Sequence, residues 1–555
     1  MDIFDDLGRI FHHGDKGEDK DEGNAQEDGE NNGQDTSENK VDSSADSTPA
    51  GNPLPEQSGS PVDAPQTATP AAQGRVLLIH GYSANWQAFL PWKKALSDAG
   101  IDSAKIDVGN YVTLNNEVTI KDLGEAFDRA LRLTQFSQQL PGDDWTFDAI
   151  VHSTGMLVLR QWLTSDPFQA SDPRSRVRRL KHLVGLAPAT WGSPQAKQGR
   201  SWLGALVKGN RELGPDFLNA GDMVLDGLEL ASAYTWNLAM KDMICTQPFY
   251  GKGSDTPYVA VFIGNIGYTG LAEVSNSPGC DGTVRWAGCS LDTRKVTLDF
   301  RRHPQLDPND PTKRVDISDW SDDRVGAPII AVDGQNHGTI IANPKPELVP
   351  LVHDFLGISD KDGYDAWEKR ALAFGAPSQA KMDTADGVQD GAGWQQLVIH
   401  MVDDHGDGVT DYNIQLYYGD NLEQSDDPSF PSVPLIVDTY SSDNSYRCFY
   451  IHLREEMLTL ADDNKKMWLE IIASSGSTLV EYEAYTGSPD DPQRLTVDSH
   501  VPSDQKPVKM DITPLTAGGA SLFYPYTTTL LEIFVEREPV PLKAVSGLFT
   551  FPDVT

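Results

Sequence analysis

Basic residues are scarce in this chain: 45 lysines and arginines stand against 82 aspartates and glutamates, a formal net charge of −37. Nucleic acid is therefore not an expected partner, because phosphate binding needs clustered Lys and Arg. Simple electrostatic adsorption to an anionic membrane is disfavoured for the same reason. Cysteine is scarce too, and the four present (Cys245, Cys280, Cys289 and Cys448) are too few for a disulfide framework. Cys280 and Cys289 bracket a short segment that either a local bridge or two reduced thiols would suit. Long apolar runs are missing, so no stretch is expected to cross a bilayer. The start, MDIFDDLGRIFHH, lacks the basic head and continuous apolar core of a secretory signal. The default expectation is a cytoplasmic protein with at most transient contact at a membrane surface.

Core-forming residues are nearly absent from 12–74, where GDKGEDKDEGNAQEDGENNGQDTSENK leads into a Pro- and Ser-rich run. Such a segment cannot bury enough apolar surface to offset its chain entropy, so 1–74 reads as a disordered acidic N-terminal segment. Within it Ile3, Phe4, Leu7, Ile10 and Phe11 share one helical face, enough for a small docking or lipid-touching helix that is marginal alone.

What is present begins at Gly74. RVLLIHG, IDSAKIDVG, FDAIV, RLKHLVGLAPA, PYVAVFIGNIG and APIIAVDG are short apolar runs, and helical spacing lies between them, as in TIKDLGEAFDRALRLTQFSQQL. Strands apolar throughout and alternating with helices predict a mostly parallel sheet covered on both faces, over residues 75–357. A linker is expected at 358–384. From 385 to 555, QQLVIHMV, DYNIQLYY, YRCFYIHL and TLLEIFVE are β-rich runs between Asp, Gly and Pro clusters, which predict a C-terminal antiparallel β-sandwich.

The chemistry concentrates at AIVHSTGM, which sets Ser153 between a buried strand and a helix. A strand–turn–helix elbow exposes the hydroxyl and aims the helix N-terminus at the reacting centre. Gly155 suits the close packing of that helix, while Val151 occupies a place where glycine is usual. A serine hydroxyl needs a base, and the base needs a carboxylate to hold its tautomer. The chain order for such an elbow is Ser, acid, His. Asp281 follows PYVAVFIGNIG in a Gly-flanked turn, and His337 follows APIIAVDG. Asp299 and Asp333 are alternative acids, the second too close to His337 in one loop to be the usual choice. His152 is expected to pack away from Ser153, and His80 to stabilise its turn. Two backbone N–H groups, those of Tyr82 in IHGYSAN and Thr154 after the serine, are placed to form an oxyanion hole.

Together IHGYSAN, VHSTG, GLAPATWGSP, CDGTV and QNHG resemble the bacterial lipase and esterase branch of the α/β-hydrolase superfamily, over about residues 75–357. The resemblance implies hydrolysis of lipid or other carboxylic esters through an acyl-enzyme, with no cofactor. It also implies that Gly192-Ser193 leads into a cap. The insert of about 192–250 supplies apolar side chains, so Trp191, Trp202, Leu206 and Phe217 are the expected substrate contacts. An acyltransferase using the same triad, or a binding protein on the same fold, are the alternatives. In DDHGDGVTD, Asp403, Asp407 and Asp411 fall short of an EF-hand because Ile414 stands at the twelfth position, so a hairpin turn is expected and no metal is assigned.

Overall fold

Branched apolar runs with no polar face suit strands covered on both sides, and four of them form the middle of one six-stranded sheet. The strands are β1 (Arg75–Ile79), β2 (Ile106–Val108), β3 (Phe147–Ser153), β4 (Leu180–Pro188), β5 (Tyr258–Gly264) and, further along the chain, β8 (Ile329–Val332), in the order β2-β1-β3-β4-β5-β8. Every neighbouring pair is parallel. The computed structural model describes residues 75–549, apart from 135–144, 166–174, 198–220, 303–313, 319–325, 420–432, 460–465, 486–493, 499–507, 516–520 and 540–547, with shorter gaps at 254, 270–272, 274–275 and 514. The acidic segment and the short N-terminal helix anticipated there lie outside the described residues.

Helices α1 (Leu90–Asp98), α2 (Ile120–Leu133), α3 (Gly155–Thr164), α4 (Asp222–Leu228), α5 (Ala233–Asp242), α6 (Thr339–Ala342) and α7 (Leu348–Phe355) connect these strands. Helix α2 starts where Thr119 and Asp122 satisfy each other's backbone N–H groups in a capping box. The segment expected as a linker carries α8 (Lys361–Asp383), a helix of 23 residues capped by Asp360. It is helical because Tyr364, Trp367 and Ala371 form a buried stripe at turn spacing, with Trp367 packed on Phe355 and Phe262.

The C-terminal half contains β9 (Gly391–Asp403), β10 (Tyr412–Gly419), β11 (Leu435–Thr439), β12 (Tyr446–Arg454), β13 (Lys466–Ala473), β14 (Val480–Tyr485), β15 (Arg494–Thr496), β16 (Val508–Asp511) and β17 (Thr527–Pro539). Strands β10-β13-β16 form an antiparallel sheet, and β11-β12-β9-β17-β14-β15 form a second, mixed sheet. The expected all-antiparallel sandwich needs correction. Strand β17 runs parallel to β9 on one side and to β6 (Thr293–Asp299) on the other. Strand β6 and its partner β7 (Val315–Ile317) come from inside 75–357. The physical reason is burial: Val296, Leu298 and Phe300 have no place in the parallel sheet and join the core formed by Ile399, Met401, Leu531 and Ile533. Residues Ala71–Thr555 belong to one compact unit. No helix among the described residues is long and apolar enough to cross a membrane.

Candidate active site

Of the three residues expected to carry chemistry, Ser153 ends β3, while Asp281 and His337 lie in the loops that follow β5 and β8. Ser153 closes β3 with a φ of 51°, a left-handed conformation that costs a non-glycine residue about 1–2 kcal/mol. That strain turns the chain sharply into α3. The turn is possible because Gly155 has no side chain: a Cβ there would stand 2.7 Å from the Ile79 carbonyl oxygen and 2.8 Å from that of His80. Gly81 meets the nucleophile from the other side, where a Cβ would lie 2.8 Å from the Cβ of Ser153 and 3.3 Å from its Oγ. The close approach thus comes from the β1 turn, and Val151 stays fully buried in the core.

Asp281 lies beyond β5 and is fully buried. One carboxylate oxygen accepts from the backbone N–H groups of Thr283 (3.0 Å) and Val284 (2.9 Å). The other accepts from Nδ1 of His337 at 3.0 Å. The N–H of His337 donates to the carbonyl of Asp281 at 3.0 Å, so the acid and the histidine hold each other through main chain and side chain alike. With its proton on Nδ1, the His337 imidazole presents a bare Nε2. The alternative acids are engaged elsewhere. Asp299 pairs with Arg301, and the exposed Asp333 pairs with Lys381 and Asn265, which hold its carboxyl below the usual range.

The neighbouring histidines divide. His80 keeps the turn role expected of it: its ring stacks on Tyr111 at 4.1 Å and its Nδ1 bonds the Gly81 carbonyl at 2.8 Å. Burial holds its pKa below the ordinary value. His152, expected to pack away from Ser153, meets the base instead: its ring lies 4.6 Å from that of His337 and its Nε2 reaches the His337 carbonyl at 2.9 Å. Burial, and next the proximity of His337, push the pKa of His152 well down. Adjacency in sequence to Ser153 was the only signal that could have found it.

Tyr82 is half-buried beside Thr113 and Gly221, and Thr154 begins α3 with no side-chain cap. The Thr154 hydroxyl is fully buried without a hydrogen-bond partner among the described residues. The N-terminal end of α3 is therefore not closed by its own cap residue, and its positive dipole end faces the turn. Trp191 belongs to the core rather than to an open pocket. It is fully buried, its indole donates to the Ser290 carbonyl at 3.1 Å, and Arg160 lies over its ring. Trp202, Leu206 and Phe217 lie outside the described residues.

The acid loop leans on the C-terminal strands, a support between residues far apart in the chain that no local pattern signals. Tyr450 of β12 donates its hydroxyl to the Gly279 carbonyl at 2.7 Å, Arg285 lies over the Tyr450 ring and pairs with Asp438, and Trp394 of β9 packs edge-on against Trp286. Cys280 and Cys289 on the same loop are free thiols. In the β9 hairpin, Asp403, His405 and Asp407 bring ligand atoms within 4.8 Å of one another. Asp403, however, caps the turn by accepting from the N–H groups of His405 and Asp407, and Arg537 stands 3.8 Å away. This is the arrangement of a hairpin turn.

A parallel sheet with a serine at the end of β3, and an acid and a histidine in the loops after β5 and β8, invites comparison with solved structures. Phospholipase PlaB from Legionella pneumophila, solved alone and in complex with thio-NAD, superposes with a TM-score of 0.62 at 20% identity, covering 87% of this chain and 98% of that one. The chain has the α/β-hydrolase fold. The mature lipase BlEst2 of Bacillus licheniformis is far more distant, with a TM-score of 0.33 at 13% identity over 52% of this chain and 96% of its own. No protein-family model matches the chain, and no curated protein sequence does. Likeness to PlaB extends the α/β-hydrolase comparison beyond residue 357 into the C-terminal sheets, because 87% of the chain is more than the parallel sheet and its helices supply.

Proposed function

We propose that this chain is a serine hydrolase of carboxylic esters, with Ser153 as nucleophile, His337 as general base and Asp281 as the acid that orients it. The observation that carries the proposal is the Asp281–His337 pair. It fixes the imidazole proton on Nδ1 and leaves Nε2 as acceptor at the sheet end where Ser153 sits in a strained elbow. In the proposed reaction Ser153 Oγ attacks the ester carbonyl carbon while its proton passes to His337 Nε2. The tetrahedral oxyanion is held by the N–H groups of Tyr82 and Thr154, and the alkoxide leaves with the proton from His337. Water then attacks the acyl-enzyme by the same route, returning Ser153 and releasing the acid.

Lipid esters are the proposed substrate class. Two observations support this: the apolar insert of 192–250, and a structural neighbour named as a phospholipase. Trp202, Leu206 and Phe217 are the proposed contacts of the acyl chain. No cofactor enters this chemistry. The test is hydrolysis of a chain-length series of p-nitrophenyl esters by wild type and Ser153→Ala. Turnover is expected to fall by a factor on the order of 10⁴ or more in the variant, with an unchanged circular-dichroism spectrum. Equal turnover in both proteins would remove Ser153 from the mechanism.

A further inference from the structure

His337 is held at three points. Its N–H and its Nδ1 both donate to Asp281, at 3.0 Å each. Its carbonyl oxygen accepts from Nε2 of His152 at 2.9 Å. Two of the three anchors therefore come from the acid loop, and the third comes from the residue covalently bonded to Ser153.

The chemistry of the third anchor is unambiguous. A carbonyl can only accept, so Nε2 of His152 must carry the proton. Nδ1 of the same ring is buried and has no hydrogen-bond partner among the described residues. It points toward Gly81, where a Cβ would lie 3.0 Å away. The ring is thus a neutral Nε2–H tautomer with a bare, dry nitrogen beside the Gly81 turn. The titratable groups around it, His337 and His80, would both oppose a second positive charge.

We infer that His152 is a positioning residue, whose Nε2–H grips the His337 main chain and thereby sets the separation between Ser153 and the His337 imidazole. The inference rests on the serine-hydrolase reading above. Its logic is mechanical: β3 delivers the nucleophile and the loop after β8 delivers the base, and two strands, β4 and β5, lie between them in the sheet. The loop after β8 comes back across that gap, and His152 holds it at the carboxyl edge through the His337 carbonyl. A neutral ring also leaves room for positive charge on His337 during proton transfer, which a charged neighbour 4.6 Å away would resist.

Two amide substitutions separate positioning from packing. In His152→Gln the side-chain N–H reaches about where Nε2 stands; in His152→Asn it stops about where Nδ1 stands and cannot reach the carbonyl. Positioning predicts that the Gln variant keeps kcat within about tenfold of wild type. The Asn variant should lose about 10²-fold in kcat with KM changed by less than about threefold, the scale of a misplacement near 1 Å. Equal activity of the two variants would overturn the inference. A measurement on the wild type needs no variant to be active: ¹⁵N shifts of the His152 ring, assigned by their loss in His152→Gln, should report the neutral Nε2–H tautomer, and an Nδ1–H or charged ring would overturn it. Labelling by an alkyl fluorophosphonate separates the two levels. A wild type that labels at Ser153 upholds the serine-hydrolase reading, whatever the Asn and Gln variants do, whereas no labelling of the wild type removes the reading on which the inference rests.

Discussion

At the scale of single residues, Asp281 is defined by what it accepts. Two backbone N–H groups saturate one oxygen, so the other is committed to His337. Asp281→Asn keeps the shape but offers an N–H where a carboxylate oxygen stood, favouring the tautomer that puts the proton on Nε2 of His337. The expected outcome is a fall of about 10⁴ in kcat with ester binding preserved, read from steady-state kinetics; a loss below about tenfold would mean that Asp281 does not orient the base. Gly155 makes a structural prediction at the same scale. Gly155→Ala must move either α3 or the end of β1 to relieve contacts of 2.7 and 2.8 Å. Overpacking of that kind costs about 1–3 kcal/mol, so the urea midpoint should fall measurably. An unchanged midpoint would show that the elbow has more room than these contacts allow.

At the scale of elements, helix α3 is tied to α5 by a buried ion pair. Arg160 reaches both oxygens of Asp242 on α5, at 2.8 and 3.0 Å, and Tyr250 completes the group at 2.7 Å. Both charges are fully buried. Removing one partner strands the other, so Asp242→Leu is expected to destabilise the fold by about 3–5 kcal/mol in chemical denaturation; a stability within about 1 kcal/mol of wild type would contradict this. The same scale shows what the sequence made legible. The parallel sheet could be read because four of its six strands are largely apolar runs of five to nine residues. Chain order and strand ends single out Asp281 and His337 in the sequence, and the structure brings these two side chains into hydrogen-bond contact. The partnership of β6 with β17 could not be read, since Thr293 and Thr528 are far apart in sequence and their pairing follows from which core has space for Val296 and Leu298. The Tyr450 and Trp394 props behind the acid loop escaped notice for the same reason. Helix α8 was missed because its Ala-, Gly- and Pro-containing sequence looks like a connection until Tyr364 and Trp367 are seen to be buried.

At the scale of the whole molecule, Ala71–Thr555 form a single unit, and β9 and β12 of its C-terminal half support the loop that carries Asp281. Buried histidines also give the molecule a characteristic response to acid. His80, His152 and His400 are all held below the ordinary value of 6.5, chiefly by burial. Below that pH the unfolded chain binds protons that the folded chain refuses, so stability rises with pH and declines on acidification through 6.5 toward the lower folded-state values. The urea midpoint, measured in salt high enough to screen the acidic surface, should drop between pH 7.5 and 5.5, and His152→Gln should flatten the slope. A midpoint that holds steady or climbs over that range would contradict the neutral assignment of these rings. The central claim is the identity of the nucleophile, and it is tested most directly by treating the intact protein with an alkyl fluorophosphonate and mapping the adduct by peptide mass spectrometry. The account predicts one adduct, on Ser153, with none in Ser153→Ala and far slower labelling in His337→Ala; an adduct on another residue, or equal labelling of the Ser153→Ala protein, would contradict it.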